Sequence, residues 1–312
     1  MKLILDVIHS KTFLEVDYII ILLGKVNSLY SRFSIDKKNG SGRRTVYHPS
    51  KELKAVQRVI NDHIITKLDT HDACKAYKLG CTTKKNAEPH LNSRFLLRMD
   101  FKSFFESIEY KDVHKFCQEF IKKHFIEWTD EDSEIFSKFV CYKGRLVMGS
   151  VTSPALTNAM CVGLDNLLYE KCESIGVKYS RYADDLYFST DAPNILKKLE
   201  KDVYKIVSSL KIPSSLKINS DKTYHSSRKR RMIVTGLVIT NSGTISVGRG
   251  KKREIKSLVF NWESLDEEFK KYTSGYLSYI KSVEPEFLNN LCLKYGAEKI
   301  RVVMTYNQSL KI

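Results

Sequence analysis

Apolar positions recur along this chain with two periods. Between Lys51 and Leu68 they fall three and four residues apart, at Leu53, Val56, Val59, Ile60 and Ile64, which is the spacing of one helix face. Ser50 stands where such a helix needs its N-cap. A second helix is predicted from Ser153-Pro154, with Ser as cap and Pro at the first position. Its apolar face carries Leu156, Met160, Leu164 and Leu167, and Gly176 closes it. The first 35 residues also read as helical, with Leu14, Tyr18, Ile21 and Leu22 on one face. So do the segments after the Asp100 strand up to about Val140, the stretch Ile195–Leu210 and the last sixty residues.

Short apolar runs bounded by turn residues read instead as strands. They are Thr45-Val46-Tyr47 ending at Pro49, Phe95-Leu96-Leu97, Val177–Tyr182, Leu186–Thr190, Leu216-Lys217-Ile218 and Ile233–Ile239. The glycines in the basic turn between Asp36 and Arg44 permit a hairpin. A polar stretch runs from Asp69 to Ser93, and no repeat or low-complexity linker divides the 312 residues. Helices mixed with antiparallel strands predict an α+β class, not a doubly wound parallel sheet.

The strand pattern gives three carboxylates a meaning. Asp184 and Asp185 fall between the runs Val177–Tyr182 and Leu186–Thr190, so a tight turn would hold both at a hairpin tip. Asp100 follows the apolar run at Phe95 and reads as a strand end. An Asp-Asp pair by itself carries little weight, since composition yields roughly one per chain of this length. Three carboxylates converging from two strands are different. They can hold two Mg²⁺ ions about 4 Å apart, the geometry of enzymes that join nucleotides. Mg²⁺ takes hard oxygen ligands and leaves positions for phosphates.

Charge points the same way. Lys and Arg number 52 against 36 Asp and Glu, a net +16, which suits a polyanionic partner. No apolar run reaches membrane-spanning length, and no membrane partner is expected. Lys2 opens a short apolar stretch, but Asp6 interrupts it and no small-residue cleavage site follows, so no signal peptide is expected. Seven cysteines without a C-x-x-C pair predict reduced thiols in a cytoplasmic protein and no zinc site.

In this order the motifs resemble those of the reverse transcriptases, and among them the bacterial retron enzymes. Asp100 with Phe101-Lys102-Ser103-Phe104-Phe105 is similar to the first catalytic motif. Gly149-Ser150-Val151-Thr152-Ser153-Pro154 is similar to the template and nucleotide loop, and Tyr182–Asp185 to the family signature. Asn219-Ser220-Asp221-Lys222-Thr223 looks like the lysine motif, and Thr235-Gly236-Leu237 like the primer-grip turn. Asn86-Ala87-Glu88-Pro89-His90 and Val234-Thr235-Gly236 match the retron N-A-x-x-H and V-T-G patterns. Met148 stands where the family usually has Gln, replacing a polar contact near the incoming nucleotide with a flexible apolar one.

The resemblance implies a right-hand polymerase: N-terminal helices and fingers over residues 1–95, a palm over 96–240 with finger elements at about 115–150, and an RNA-binding thumb over 241–312. It implies Asp100, Asp184 and Asp185 as catalytic carboxylates, with the Phe101 carbonyl completing the ligands of two Mg²⁺ ions. Arg43, Arg44, Phe105, Met148, Gly149 and Lys222 are the implied nucleotide contacts. Asn86, His90, Val234, Thr235, Gly236, Arg249, Lys251, Lys252 and Arg253 are the implied RNA contacts.

The implied partners are a cognate noncoding RNA that is both template and primer, the RNA–DNA product, dNTPs and an effector protein. The implied product is branched DNA started from an RNA 2′-hydroxyl and used in anti-phage defence. Two other readings of the residues are an RNA-dependent RNA polymerase and a catalytically silent RNA-binding scaffold. The bulk of Phe105 bears on the first, because it would press on a ribose 2′-hydroxyl. The three carboxylates bear on the second.

Overall fold

The structure, a computed structural model, describes residues 2–36 and 42–309. It is α+β, as the patterning predicts, and its contacts separate two compact units.

The first unit comprises Met1–Cys81 and Leu97–His225. Two short helices, Leu3–Thr12 and Val16–Gly24, open it. Strand β1, Tyr30–Asp36, then pairs antiparallel with β2, Arg43–Pro49, from Tyr30↔Pro49 to Asp36↔Arg43. The helix expected across the first 35 residues therefore stops short. Arg32, Phe33, Ser34 and Ile35 alternate polar and apolar with period two, which suits a strand. The turn expected from the glycines at 40 and 42 lies largely outside the described residues. The helix Lys51–His63 begins where predicted: Ser50 Oγ accepts from the Leu53 N–H at 3.3 Å, and Leu53, Val56 and Ile60 are fully buried.

A four-stranded sheet forms the centre, in the order β4 (Lys178–Tyr182), β5 (Asp185–Thr190), β3 (Phe95–Asp100) and β6 (Tyr224–Ser227). Leu97, Met99, Leu186, Tyr187 and Phe188 from the sheet are buried, as are Leu164 and Leu168 of one helix and Leu199 and Val203 of another. The predicted helix from Ser153 is two, Ser153–Met160 and Val162–Glu173, parted at Cys161. Thr152, not Ser153, occupies its N-cap position, and Leu167 is 44% exposed. The strand expected at Leu216–Ile218 reduces to a single bridge, Ile218 to Phe101.

The second unit comprises Thr82–Leu96 and Ser226–Ile312, so residues 82–96 pack with the C-terminal helices. The expected strand Ile233–Ile239 is a hairpin of β7 (Met232–Val234) and β8 (Leu237–Ile239), extended by β9 (Ile245–Ser246). Helices Arg249–Phe260, Glu267–Val283, Pro285–Tyr295 and Ala297–Ser309 follow. Ile255, Val259, Leu277, Ile280, Leu291 and Val303 are buried among them.

Candidate active site

Strands β4 and β5 are joined by a two-residue turn, Ala183-Asp184, closed by the pair Tyr182↔Asp185. Ala183 has φ 57, the left-handed value that such turns demand at their first central position. A non-glycine residue there costs about 1–3 kcal/mol and persists only where its surroundings hold it. Asp184 stands at the tip, and Asp185 is the first residue of β5. The Phe101 N–H donates to the Asp184 carbonyl at 3.1 Å, which brings the tip beside the end of β3. There the Asp100 carbonyl accepts from the Asn219 N–H at 2.7 Å, and the Lys217 carbonyl from the Lys102 N–H at 2.8 Å. Backbone bonds thus bring Asp100, Phe101, Asp184 and the lysine motif to one place.

Each carboxylate has a different environment. Asp100 is buried, and Lys222 Nζ donates to both of its oxygens, at 2.8 and 3.0 Å. Asp185 Oδ1 accepts from Arg98 Nε and Nη2, at 3.1 and 2.8 Å, and its Oδ2 accepts from the Tyr187 hydroxyl at 3.1 Å. Burial raises the Asp185 carboxyl pKa, against the downward pull of Arg98. Burial, and then the charges of Asp185 and Asp100, push Asp184 up to about 6. The crowding leaves negative charge that lacks full compensation.

Hard carboxylate oxygens with excess negative charge fit Mg²⁺, and Asp100 and Asp184 are the residues placed to offer them. Asp185 is turned toward Arg98 and Tyr187. Among the described residues, no group of three or more His, Cys, Asp or Glu forms a ready-made cage.

The expected nucleotide contacts belong to the first unit. Arg43 and Arg44 are exposed on β2, and Arg43 Nε donates to Asp36 Oδ1 at 3.1 Å, an exposed pair worth little. The Met148 carbonyl accepts from the Tyr47 N–H at 2.9 Å. Gly149 follows at φ 101, and a Cβ there would lie 2.4 Å from the Tyr47 carbonyl oxygen, so the loop requires glycine. Phe105 is buried with its ring 5.5 Å from Phe104, which stacks 5.5 Å from Phe101.

The expected RNA contacts belong to the second unit. Asn86 and His90 are fully buried, so neither side chain reaches a surface that RNA could touch. Burial drives the His90 pKa down to about 3, which keeps the imidazole neutral. Val234 is buried as well, while Thr235 and Gly236, at φ 47 and 81, form the β7–β8 turn. Thr235 Oγ1 donates to the Thr83 carbonyl at 3.1 Å.

Arg249, Lys252, Arg253 and Lys256 share one helix face and line a cleft of about 440 Å³. A neighbouring cleft of about 670 Å³ adds Arg228, Arg230 and Arg231. Lys252 also pairs with Glu284, whereas Lys251 turns to Glu254 and Tyr272. Among the described residues, Arg230, Arg231, Arg249, Arg253 and Lys256 form no ion pair.

Four groups at the site went unnoticed in the sequence. Arg98 holds Asp185. Gln57 donates from Nε2 to the Phe139 carbonyl at 2.8 Å and accepts at Oε1 from Ser150 Oγ and the Val151 N–H, tying the glycine loop to its helix. Arg181 and Asp165 form a fully buried ion pair beneath the hairpin. A signal existed for Arg98: it precedes Asp100 by two, so both share one face of β3. Nothing comparable marks Gln57, which looks like one more polar residue on an amphipathic helix.

Comparison with known proteins agrees with this geometry. Residues 35–261 match the family model described as reverse transcriptase (RNA-dependent DNA polymerase). The chain is 30% identical to the retron Ec86 reverse transcriptase of Escherichia coli, over 94% of this chain and 91% of that protein. It is 32% identical to the retron Ec73 reverse transcriptase of E. coli, over 86% and 87%. It is 28% identical to the retron Ec83 reverse transcriptase of E. coli, over 94% and 95%.

Among solved structures, telomerase from Candida albicans in complex with a fragment of telomeric RNA aligns with TM-score 0.51 and 12% identity. The alignment covers 90% of this chain and 61% of that one. That likeness speaks to the fold alone. With its signature hairpin beside Asp100, and with relatives that match nearly end to end, the chain belongs to the reverse transcriptases, the RNA-dependent DNA polymerases, and within them to the bacterial retron enzymes.

Proposed function

We propose that this RNA-directed DNA polymerase copies one cognate, structured noncoding RNA. On this reading it starts DNA from the 2′-hydroxyl of an internal guanosine and leaves a branched RNA–DNA molecule. With an effector protein, in the bacterial cytoplasm, that molecule serves anti-phage defence. The observation that carries the catalytic part is the Phe101–Asp184 backbone bond, which sets Asp184 beside Asp100, where burial and the charges of Asp185 and Asp100 raise its carboxyl pKa to about 6. Among the described residues no helix is long and apolar enough to cross a membrane.

In each step the attacking hydroxyl gives up its proton to water, and its oxygen bonds to the α-phosphorus of a dNTP. The bond to the bridging oxygen breaks, and pyrophosphate leaves. Asp100 and Asp184 are the residues that would hold two Mg²⁺ ions, whose charge, once bound, serves to draw hydroxyl and triphosphate together. Arg43 and Arg44 take the triphosphate from β2, since a guanidinium binds phosphate in a fork. Lys222, already at Asp100, supplies charge or a proton to the departing pyrophosphate. The Phe105 ring closes the space a ribose 2′-hydroxyl would need. The basic face from Arg249 to Lys256 takes RNA phosphates, while exposed bases of the RNA supply selectivity.

The test has two arms. Extension of oligo(dT) on poly(rA) with dTTP and Mg²⁺ checks the polymerase. Sequencing the nucleic acid that copurifies with the protein checks the product. A 2′,5′-branched species that begins at one guanosine supports the reading; only linear extension products would refute it.

A further inference from the structure

We propose that the buried Arg181–Asp165 pair is a positioning element for the polymerase reaction, one that sets the Ala183-Asp184 tip from beneath. Both side chains are completely buried. Arg181 lies on β4, one residue before Tyr182, and Asp165 on the helix Val162–Glu173. Arg181 Nε donates to Asp165 Oδ1 at 2.8 Å and Nη2 to Oδ2 at 2.6 Å, a two-pronged contact. Its remaining nitrogen leaves the pair. Nη1 donates to the Ala183 carbonyl at 3.2 Å and to Asn158 Oδ1 at 3.4 Å.

The arginine is itself anchored. Its N–H donates to the Ala73 carbonyl, and its carbonyl accepts from the Lys75 N–H, both at 2.8 Å. Asp165 Oδ1 also accepts from the Tyr179 hydroxyl at 2.8 Å. Asn158 donates in turn to the Ala76 carbonyl at 2.8 Å. The strand, the neighbouring helices and the 73–76 segment thus converge on one guanidinium, whose free edge holds the turn.

Two features separate this from an ordinary core ion pair. First, a buried ion pair is weak support for a fold, because an apolar pair of the same volume often holds it as well. What the guanidinium adds is fixed direction: a planar fork with one edge on Asp165 and the other on the turn. Second, the turn needs holding. Ala183 sits at φ 57, where a non-glycine residue stays only under constraint. Arg181 grips the Ala183 carbonyl, and Phe101 grips the Asp184 carbonyl. Releasing the first grip lets the tip relax and move the Asp184 carboxylate relative to Asp100. A misplacement of about 1 Å at a reacting centre can cost on the order of 100-fold in rate.

The test compares three variants by thermal unfolding and by steady-state extension on poly(rA)/oligo(dT). R181M/D165L replaces the pair with apolar residues of similar size. R181K keeps the charge but cannot reach Asp165 and the Ala183 carbonyl together. Y179F removes one bond to Asp165 and leaves the turn untouched. The expected result is R181M/D165L folded with Tm near wild type and kcat lower by roughly 30- to 100-fold, with KM for dTTP within about three-fold. R181K should lose about ten-fold in kcat, and Y179F less than about three-fold. A folded R181M/D165L with kcat within three-fold of wild type would overturn the proposal. Should that variant not fold, R181K decides: kcat within two-fold of wild type overturns it, and a ten-fold loss at unchanged KM sustains it.

Discussion

Asp184 is held at a cost that can be measured without any catalysis. Its carboxyl pKa is near 6, against 3.8 in an unstructured chain, because it is buried near Asp185 and Asp100. That difference of about 2 units corresponds to about 3 kcal/mol at 1.36 kcal/mol per unit. Partial solvent access at the tip trims the figure to roughly 1–3 kcal/mol.

The sign follows from proton counting. A carboxyl whose folded pKa is raised binds more protons folded than unfolded, so stability falls as pH rises from about 4 to about 6 and is level above that. Asp184→Asn removes the titration. In EDTA at pH 8 the variant should therefore be more stable than wild type by roughly 1–3 kcal/mol, a rise in Tm of roughly 2–6 °C. At pH 4 the folded wild type already holds the proton and carries little charge at Asp184, so the gain should shrink below about 1 kcal/mol. Thermal unfolding by circular dichroism at both pH values reads this directly. A variant no more stable than wild type at pH 8, or one with the same gain at pH 4, would refute the charge-crowding argument.

The same Asp184→Asn chain should have no measurable extension on poly(rA)/oligo(dT), while its affinity for RNA in filter binding stays within about two-fold; near-normal extension would remove Asp184 from the site. Gly149→Ala should destabilise the first unit by about 2 kcal/mol or more in urea unfolding, since its Cβ would sit 2.4 Å from the Tyr47 carbonyl. An unchanged midpoint would mean that the loop shifts freely. Phe105→Val should lower the dNTP-over-rNTP ratio of kcat/KM, and an unchanged ratio would send the search to Phe104. Replacing Arg249, Arg253 and Lys256 with Gln should weaken RNA binding at 50 mM salt and reduce the salt slope by about 2–3. An unaltered slope would show that phosphates do not lie on that face.

The sequence alone determined the local structure that periodicity can encode. The capped helix at Lys51, the α+β class and the strand–Asp-Asp–strand hairpin were legible because side-chain period and turn chemistry act over a few residues. The family motifs named the three carboxylates for the same reason: each is a short string. The first 35 residues misled because the alternation from Arg32 to Ile35 is brief and follows soon after the apolar helix Val16–Gly24.

What only the tertiary structure decided was the partnership of residues far apart in the chain. Lys222 meets Asp100 across 122 positions, Arg98 meets Asp185 across 87, and Gln57 meets Val151 across 94. Asn86 and His90 belong to a recognisable motif, yet their complete burial follows from packing around them, which no motif records. Arg181 stands in the sequence as one more basic residue in a chain with 52. Its role depends on a helix, a strand and a loop closing around it, and burial turns a common surface charge into a directed clamp.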